Sequence, residues 1–311
     1  MLMNFKSRTL SSIVLFTLLI TSGYATSNPL QAFATTQTLY GATGGGLSDL
    51  YKINPDNGEA IHIDVIKNGD NQIGVSGLGF SGGVLYGAGQ TAGSVTASME
   101  TIDPSTGAVI SLFTTSPKCA DISFAPSGTL YCISPGAQTL YTLDKTTGSS
   151  LKVGDTGITT VTSRGKGGGA IAVNPTSGNS IFVGANTGLF TLSPDTGAET
   201  SGIPWVLPSD WSTDINCRPS AFAFDNAGTL YASFICESAT FLTTVNTDNA
   251  EVTQIGQPTV TSLDALAFAP LVTPPSIPEF PFSFSLVIMF VVVAAVYMGM
   301  RQKITFGKPR L

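Results

Sequence analysis

A strand–turn–strand unit that recurs along the chain limits its possible folds more than any other feature. The clearest copy spans Ala221–Ala232 and reads AFAFDNAGTLYA, an apolar strand, a polar turn ending in Gly228 and a second strand. Related copies occupy 78–86, 122–131 and 171–182, and a truncated copy occupies 266–270. Short polar turns with glycine are typical of hairpins, because glycine adopts the backbone conformations that tight turns require. The chain is therefore built from repeated hairpins.

A second repeated element follows the first in each unit. It is a strand that enters a turn of the form Asp-Pro-x-Thr-Gly, in which the acidic or amide side chain caps the turn and proline presets φ. The five copies end 41–53 residues apart, at Gly58, Gly107, Gly148, Gly197 and Ala250. Units of 40–50 residues with four short strands predict the blades of a β-propeller. We call the two strands of the first repeated element A and B, and the strands before and after the Asp-Pro-x-Thr-Gly turn C and D.

The two ends of this region predict how the ring closes. The first strand, at 38–41, matches a B strand, and the last, at 264–268, matches an unpaired A strand. Pairing them completes the first blade and leaves no open edge. We therefore predict an all-β, five-bladed β-propeller over residues 35–270, with an open β array or a sandwich as the alternative.

The A strands share a pattern of residue size. Small residues occupy alternate positions, which allows inner strands to crowd around a narrow axis: Gly77, Asp121, Ala170, Ala221 and Ala265, then Gly79, Ser123, Ala172, Ala223 and Ala267. The large residues between and after them are expected to pack between blades: Leu78, Ile122, Ile171, Phe222 and Leu266, then Phe80, Phe124, Val173, Phe224 and Phe268.

The turn repeat, seen as LFTLSPDTG at Leu189–Gly197, resembles the NHL-type and quinoprotein-like propeller repeats. The resemblance covers about 235 residues and implies the fold. It implies no single function, because such propellers include binding modules, lyases, hydrolases and dehydrogenases. The quinoprotein enzymes usually have eight blades and a dedicated cofactor pocket. Five blades without a cofactor motif lead us to expect no cofactor here.

Charge and histidine content exclude several function classes. The formal net charge is −6, with 14 Lys and Arg against 20 Asp and Glu, so no nucleic-acid partner is predicted. Histidine-based catalytic or metal sites are largely excluded because His62 is the single histidine. His62 lies in a predicted D strand at a blade edge, which argues against a serine hydrolase.

Both ends of the chain predict export and membrane attachment. Lys6 and Arg8 precede an apolar run at 10–20, as in a secretory signal peptide, here residues 1–34. Cleavage after Ala25 and an uncleaved anchor remain alternatives. A proline-rich linker at 271–282 precedes an apolar segment at 283–300 that is long enough to span a bilayer. The basic tail at 301–311 favours a cytoplasmic end and an extracellular propeller, a buried globular helix being the alternative.

The carboxy-terminal segment also carries a recognisable motif. Pro278, Glu279 and Phe280 precede the apolar segment, and Arg301 follows it. This arrangement resembles the archaeal PEF-type sorting signal, which is recognised by archaeosortase-like enzymes. The resemblance implies an archaeal cell-surface protein that is processed by a sortase-like enzyme.

The four cysteines predict two disulfides in a secreted chain. Cys217 and Cys236 are placed symmetrically about the turn at 225–228, so they should face each other across a hairpin. Cys119 and Cys132 hold similar places two blades earlier, one residue off their turn centre. The alternative is a four-cysteine metal site, although the chain has no Cys-x-x-Cys spacing.

The connections predict where a ligand binds. D–A and B–C connections emerge on the same face of the ring, and four of them are long: Lys67–Gln72, Gly89–Ser98, Asp155–Gly168 and Ile203–Pro219. Long loops on one face suggest a binding surface. Trp205 and Trp211 lie in the last of these loops and are candidates to stack on a sugar or anchor a protein. The alternative is that both pack down on the blade edge.

Charged residues on the same face are further candidates. Arg164 and Lys166 lie in a glycine-rich loop that lacks the order of a P-loop, so a mobile cationic loop is expected. Asp121 and Asp264 begin inner strands near the channel mouth, where carboxylates would suit Ca²⁺; solvated strand ends are the alternative. Arg218 lies on the same face.

These residues support two functions of different class. The first is a non-catalytic binding or adhesion module for a protein or envelope glycan, with Trp205 and Trp211 at the site. Replacing both by alanine is then expected to abolish capture with little loss of stability. The second is a secreted lyase or hydrolase that uses Asp121 and Asp264, supported by Arg164 and Arg218. A passive role in the cell envelope is a third.

Overall fold

A computed structural model describes residues 37–91, 93–94, 96–159, 169–209, 211, 217–237, 239–270 and 292–297. Thr36–Leu271 forms one compact unit, and the two chain ends belong to a second unit. Ring closure and the core clusters fall within the first unit, as is expected of a domain with its own core.

The described residues of the first unit form five antiparallel sheets, the blades. Blade 1 contains β1 (Leu39–Thr43), β2 (Asp49–Ile53), β3 (Ala60–Val65) and the last strand, β21 (Leu263–Phe268). Blade 2 contains β4 (Lys67–Asn68), β5 (Asn71–Ser81), β6 (Val84–Thr91), β7 (Ala97–Ile102) and β8 (Val109–Thr115). Blade 3 contains β9 (Asp121–Phe124), β10 (Leu130–Ile133), a 3₁₀ turn (Pro135–Ala137), β11 (Thr139–Leu143) and β12 (Ser150–Asp155). Blade 4 contains β13 (Ala170–Val173), β14 (Ile181–Ala185), β15 (Gly188–Leu192) and β16 (Glu199–Pro204). Blade 5 contains β17 (Arg218–Phe224), β18 (Leu230–Cys236), β19 (Ala239–Val245) and β20 (Val252–Ile255).

The ring closes as predicted. β21 pairs antiparallel with β1, with Leu39 opposite Phe268 and Ala42 opposite Ala265. The innermost strands β21, β5, β9, β13 and β17 contact one another in that order around the axis. The five-bladed propeller predicted from the repeats is therefore confirmed.

Small residues on the inner strands allow this crowding. A Cβ atom at Gly77 would lie 2.7 Å from the Cα of Asp121, closer than packed atoms tolerate. Ala170, Ala221 and Ala265 are completely buried. Larger residues at these positions would push neighbouring blades apart, as the sequence pattern suggested.

Aromatic pairs join neighbouring blades in four of the five seams. In each, the aromatic residue of a B strand packs on a phenylalanine at or next to the end of the following A strand. The pairs, with ring centroids 5.0–5.9 Å apart, are Tyr40–Phe80, Tyr86–Phe124, Phe182–Phe224 and Tyr231–Phe268. In the remaining seam, Tyr131 and Val173 share one core cluster. The large A-strand residues therefore pack between blades, as predicted.

Both predicted disulfides are present. Cys119 pairs with Cys132 in blade 3, and Cys217 pairs with Cys236 in blade 5. Each bond ties the segment that enters an inner strand to the B strand beside it. The metal alternative for these cysteines is thereby excluded.

Two of the four predicted long connections were wrong. Lys67–Gln72 is largely a hairpin, because Lys67 and Asn68 pair with Gln72 and Asn71. Most of Gly89–Ser98 is also strand: β6 and β7 extend toward each other, and only 92–96 connects them. The extra pairing satisfies backbone groups that a loop would leave to solvent.

The predicted segments at the chain ends fall mostly outside the described residues. This applies to the signal peptide (1–34), the linker (271–282), the sorting motif with Arg301 and the basic tail (301–311). Within the predicted span at 283–300, residues 292–297 are helical and the others lie outside the described residues. In the part of the chain that is described, no helix has the length and apolarity needed to cross a membrane.

Candidate functional site

The carboxylate of Asp121 joins three inner strands. Its Oδ1 accepts the backbone N–H of Ile122 at 2.8 Å. Its Oδ2 accepts the N–H of Ile171 on β13 at 3.0 Å and the N–H of Phe222 on β17 at 3.3 Å. Because β9, β13 and β17 belong to different blades, this one side chain holds blades 3, 4 and 5 together at the axis.

Asp121 is completely buried, so the solvated strand end considered from the sequence is wrong. Burial raises the pKa of Asp121 well above its ordinary value, while the three N–H donors oppose that rise and the nearby Asp264 adds to it. Both carboxylate oxygens already accept hydrogen bonds. Asp121 therefore has a structural role that sequence reasoning could not separate from a catalytic one.

Asp264 lies nearer the long-loop face. It is partly buried and accepts a hydrogen bond from the hydroxyl of Ser220. Burial raises its pKa, whereas that hydrogen bond and the positive charges of Arg218 and Lys118 lower it. Arg218 and Lys118 therefore act on the charge of Asp264, and a ligand site formed by Asp264 and Arg218 stays a prediction.

The two tryptophans pack down on blade 5. Trp211 is 7% exposed, stacks on Phe241 with centroids 4.9 Å apart, and donates from Nε1 to Gln254. Trp205 is partly buried, meets Phe234 edge to face, and donates from Nε1 to the carbonyl of Ala185 at 2.8 Å. This geometry matches the alternative in which the tryptophans cover the blade. Their role in ligand binding stays a prediction.

The remaining sequence candidates are less informative. Arg164 and Lys166 lie outside the described residues. His62 is exposed on β3, with Nε2 3.3 Å from Oδ1 of Asp49. Over the described ranges, no group of three or more His, Cys, Asp or Glu side chains is arranged to hold a metal ion.

A pocket of about 360 Å³ opens at the end of the ring that carries the short A–B turns, opposite the long connections. We call it the aromatic pocket. Its lining includes the phenylalanines at or next to the ends of four inner strands, Phe80, Phe124, Phe224 and Phe268, together with Val173. Ile122 and Phe222 also line the pocket, and both donate backbone N–H groups to the carboxylate of Asp121.

The aromatic pocket is uncharged. None of the described residues that line it has an ionisable side chain. Its polar side chains are partly engaged: Gln37 donates to the carbonyl of Ala269 and accepts the N–H of Asn226, and Ser123 accepts the N–H of Val173. Its volume is in the 300–1,000 Å³ range that is usual for ligand sites, and its exposed lining is more polar than apolar. The repeat alignment identified these phenylalanines only as packing residues.

Sequence reasoning also missed Glu100 on β7. This residue is completely buried, and its Oε2 atom has no hydrogen-bond partner among the described residues. The other oxygen accepts the hydroxyl of Ser98, and Oε2 faces Gly87, where an added Cβ would lie 3.1 Å away. Burial raises the pKa of Glu100 to about 7. The sequence around Glu100, between Met99 and Thr101, gave no sign that this glutamate is enclosed in its five-stranded blade.

Glu100 predicts a pH dependence of stability. Because its pKa is higher in the folded protein than in the unfolded chain, its contribution is complete below about pH 4.5 and is lost as pH rises through about 7. The loss is roughly 3 kcal/mol. Glu100→Gln keeps the acceptor for Ser98 and does not titrate. We expect the variant to be the more stable protein at about pH 8 by urea unfolding.

The difference in unfolding free energy between Glu100→Gln and the wild type, measured across pH, isolates the contribution of Glu100. Asp121 and Asp264 also have raised pKa values and contribute to both proteins equally. A difference that stays constant between about pH 5 and about pH 8 would contradict the assignment.

Comparisons with known proteins add little beyond the fold. No family model matches the chain, and no curated protein matches it. Solved structures with a similar arrangement include a glutaminyl cyclase from Myxococcus xanthus, with 15% identity, a TM-score of 0.40 and coverage of 63% of this chain and 70% of that one. A protein of unknown function from Bacteroides caccae has 8% identity, a TM-score of 0.46 and coverage of 75% and 98%. A chain of a nidogen/laminin complex has 12% identity, a TM-score of 0.43 and coverage of 75% and 98%. The chain is thus a five-bladed β-propeller by its own strand topology, and these likenesses supply no activity.

Proposed function

We propose that this protein is a non-catalytic binding module, displayed outside the cell and tethered to the membrane, that captures a protein or a glycan of the cell envelope. The observation that carries the proposal is the uncharged lining of the aromatic pocket. General acid–base and nucleophilic catalysis require ionisable or activated groups that converge on a substrate. A pocket whose described lining offers aromatic faces and neutral polar groups is suited to binding.

The proposed location rests on the disulfides and on the chain ends. Two disulfides persist in oxidising compartments and are rare in a reducing cytosol. In this proposal residues 1–34 direct export, 283–300 span the membrane and 301–311 stay inside. The motif at Pro278, Glu279 and Phe280 with Arg301 would direct processing by a sortase-like enzyme.

The proposed binding site lies on the short-turn face of the ring, whereas the sequence predicted a site on the long-loop face. We expect Phe80→Leu with Phe224→Leu to weaken binding about tenfold or more, because each aromatic contact contributes about 0.5–1.5 kcal/mol and leucine keeps most of the buried volume. Binding of residues 36–271 to arrays of neutral oligosaccharides and uncharged peptides would be measured. Phe113→Leu, a partly buried phenylalanine on β8 outside the pocket, is the matched control.

Arg218→Ala tests the other face. Binding that survives the pocket variant and is lost with Arg218→Ala would return the site to the long loops. Recovery of the bound ligand by mass spectrometry separates binding from turnover. A lyase or hydrolase remains the second candidate, because Asp264 combines a raised pKa with a neighbouring arginine; a cleaved ligand would support it and contradict a non-catalytic module.

A further inference from the structure

The carboxylate of Glu100 lies among apolar side chains in the seam between blades 1 and 2. A Cβ atom added at Gly87 would lie 3.1 Å from Oε2 of Glu100. It would also lie 2.9 Å from Ile102 and 3.4 Å from Val75, two residues of the core cluster that joins these blades. Because Oε2 has no hydrogen-bond partner among the described residues, an ionised Glu100 would be a buried charge with an unsatisfied oxygen.

No positive charge compensates this carboxylate within its own blade. Strands β5 to β8 contain no Lys, Arg or His, and Tyr86 on β6 packs on the other face of the blade. Tyr40 of blade 1 shares the seam and is neutral, since burial raises its pKa above 10. Blade 1 brings three charged residues to its side of the seam, and all are partly or fully exposed: Lys52, Asp64 and Lys67. Burial is the main cause that raises the pKa of Glu100, and none of these charges contributes to it.

The shortest route from Glu100 to water passes through β8. Leu112 on β8 lies opposite Glu100 in the β7–β8 pairing and is 40% exposed. On the inner side of the blade, Val75, Leu78 and Leu85 are at most 1% exposed. β8 is also the outermost strand of blade 2, so its release breaks one strand pairing and leaves the ring closed. Water therefore reaches the carboxylate with least disruption when β8 separates from β7.

We propose that blade 2 contains a pH-sensitive switch, in which ionisation of Glu100 releases β8 from β7 while the rest of the ring stays folded. The inference does not depend on the proposed binding function. The neutral acid is stable in the apolar seam, whereas the ionised form needs the water that strand release admits. The pKa of Glu100 is about 7 when it is enclosed and 4.5 in its ordinary state. The population of the released state should therefore rise roughly 70-fold between about pH 5 and about pH 8.

Hydrogen exchange of the full-length protein in detergent micelles, followed by mass spectrometry of peptic fragments, tests the switch. Fragments that cover β8 are compared at about pH 5 and about pH 8, with exchange times scaled to the intrinsic rate at each pH. We expect the protection of β8 to fall at least about tenfold in the wild type and to stay constant in Glu100→Gln. The outer strand of blade 5, β20, is the control and should keep its protection in both proteins.

A second pair of variants tests the route to water. Leu112→Ala widens the path to Glu100, so the pH above which the protection of β8 stops falling should move down. Leu151→Ala, at a leucine that is 71% exposed on the outer strand β12, should leave that pH unchanged. Near-UV circular dichroism verifies that each variant is folded.

Three results would overturn the switch. The first is a wild-type protein in which the protection of β8 does not change with pH. The second is an equal loss in β8 and β20, because hydration of Glu100 would then require the whole ring to unfold. The third is a Glu100→Gln protein that loses protection as the wild type does.

Discussion

Replacing Asp121 by alanine is expected to destabilise the propeller by roughly 3–6 kcal/mol. The substitution removes the acceptor of three backbone N–H groups, on Ile122, Ile171 and Phe222, at a completely buried position. Each buried donor left without a partner costs about 1–3 kcal/mol. Urea unfolding of residues 36–271, followed by far-UV circular dichroism, measures the change.

Asp121→Asn and Asp155→Ala provide the comparison. Asparagine keeps one acceptor oxygen and replaces the other with an NH₂ group, which cannot accept an N–H hydrogen bond, so we expect it to recover only part of the lost stability. Asp155 is exposed and pairs with Lys152 at the surface, so its replacement should change stability little. If the Asp121→Ala protein has the same urea midpoint of unfolding as the wild type, the carboxylate does not hold the inner strands together.

Replacing Trp211 by alanine is expected to cost roughly 3–5 kcal/mol, the usual range for a buried tryptophan. The indole is 7% exposed, packs on Phe234 and Phe241, and donates its N–H to Gln254. This differs from the sequence expectation that Trp205 and Trp211 could both be replaced with little loss of stability. Thermal unfolding followed by circular dichroism avoids the fluorescence change that the substitution itself causes.

Trp211→Phe should lose less, because a phenyl ring keeps part of the stack on Phe241. Val206→Ala, at a neighbouring residue that is about half exposed, is the surface control. A tryptophan-to-alanine variant that keeps wild-type stability and loses ligand binding would restore the surface site predicted from the sequence.

The repeats made most of the fold predictable. Turn residues such as Gly107 and Gly148 take positive φ, as the Asp-Pro-x-Thr-Gly pattern requires. Those turns set the strand boundaries, and the unpaired A strand at the end of the chain indicated closure with β1. Cys217 and Cys236 lie symmetrically on either side of one turn, and this symmetry predicted their disulfide bond. Each of these features follows either from residues that are close in sequence or from the alignment of the repeats with one another.

The site was less predictable because it depends on contacts across the ring. Asp121 and Phe222 are about one hundred residues apart, and only closure of five blades brings the carboxylate to that N–H group. Trp211 could be judged buried only once Phe234, Phe241 and Gln254 had been placed around it. Glu100 lies between Met99 and Thr101, a context that does not distinguish a buried from an exposed strand residue, and only the packing of its blade encloses it.

The position of β21 has a mechanical consequence. This strand lies innermost in blade 1, is hydrogen-bonded to β1 and contacts β17 and β5 on its two sides. A pulling force applied through the chain beyond Pro270 therefore enters the ring at its centre, where several β1–β21 hydrogen bonds share the load, and does not peel an outer strand away. A propeller joined to its support in this way should resist extension by fluid drag better than one joined through an outer strand.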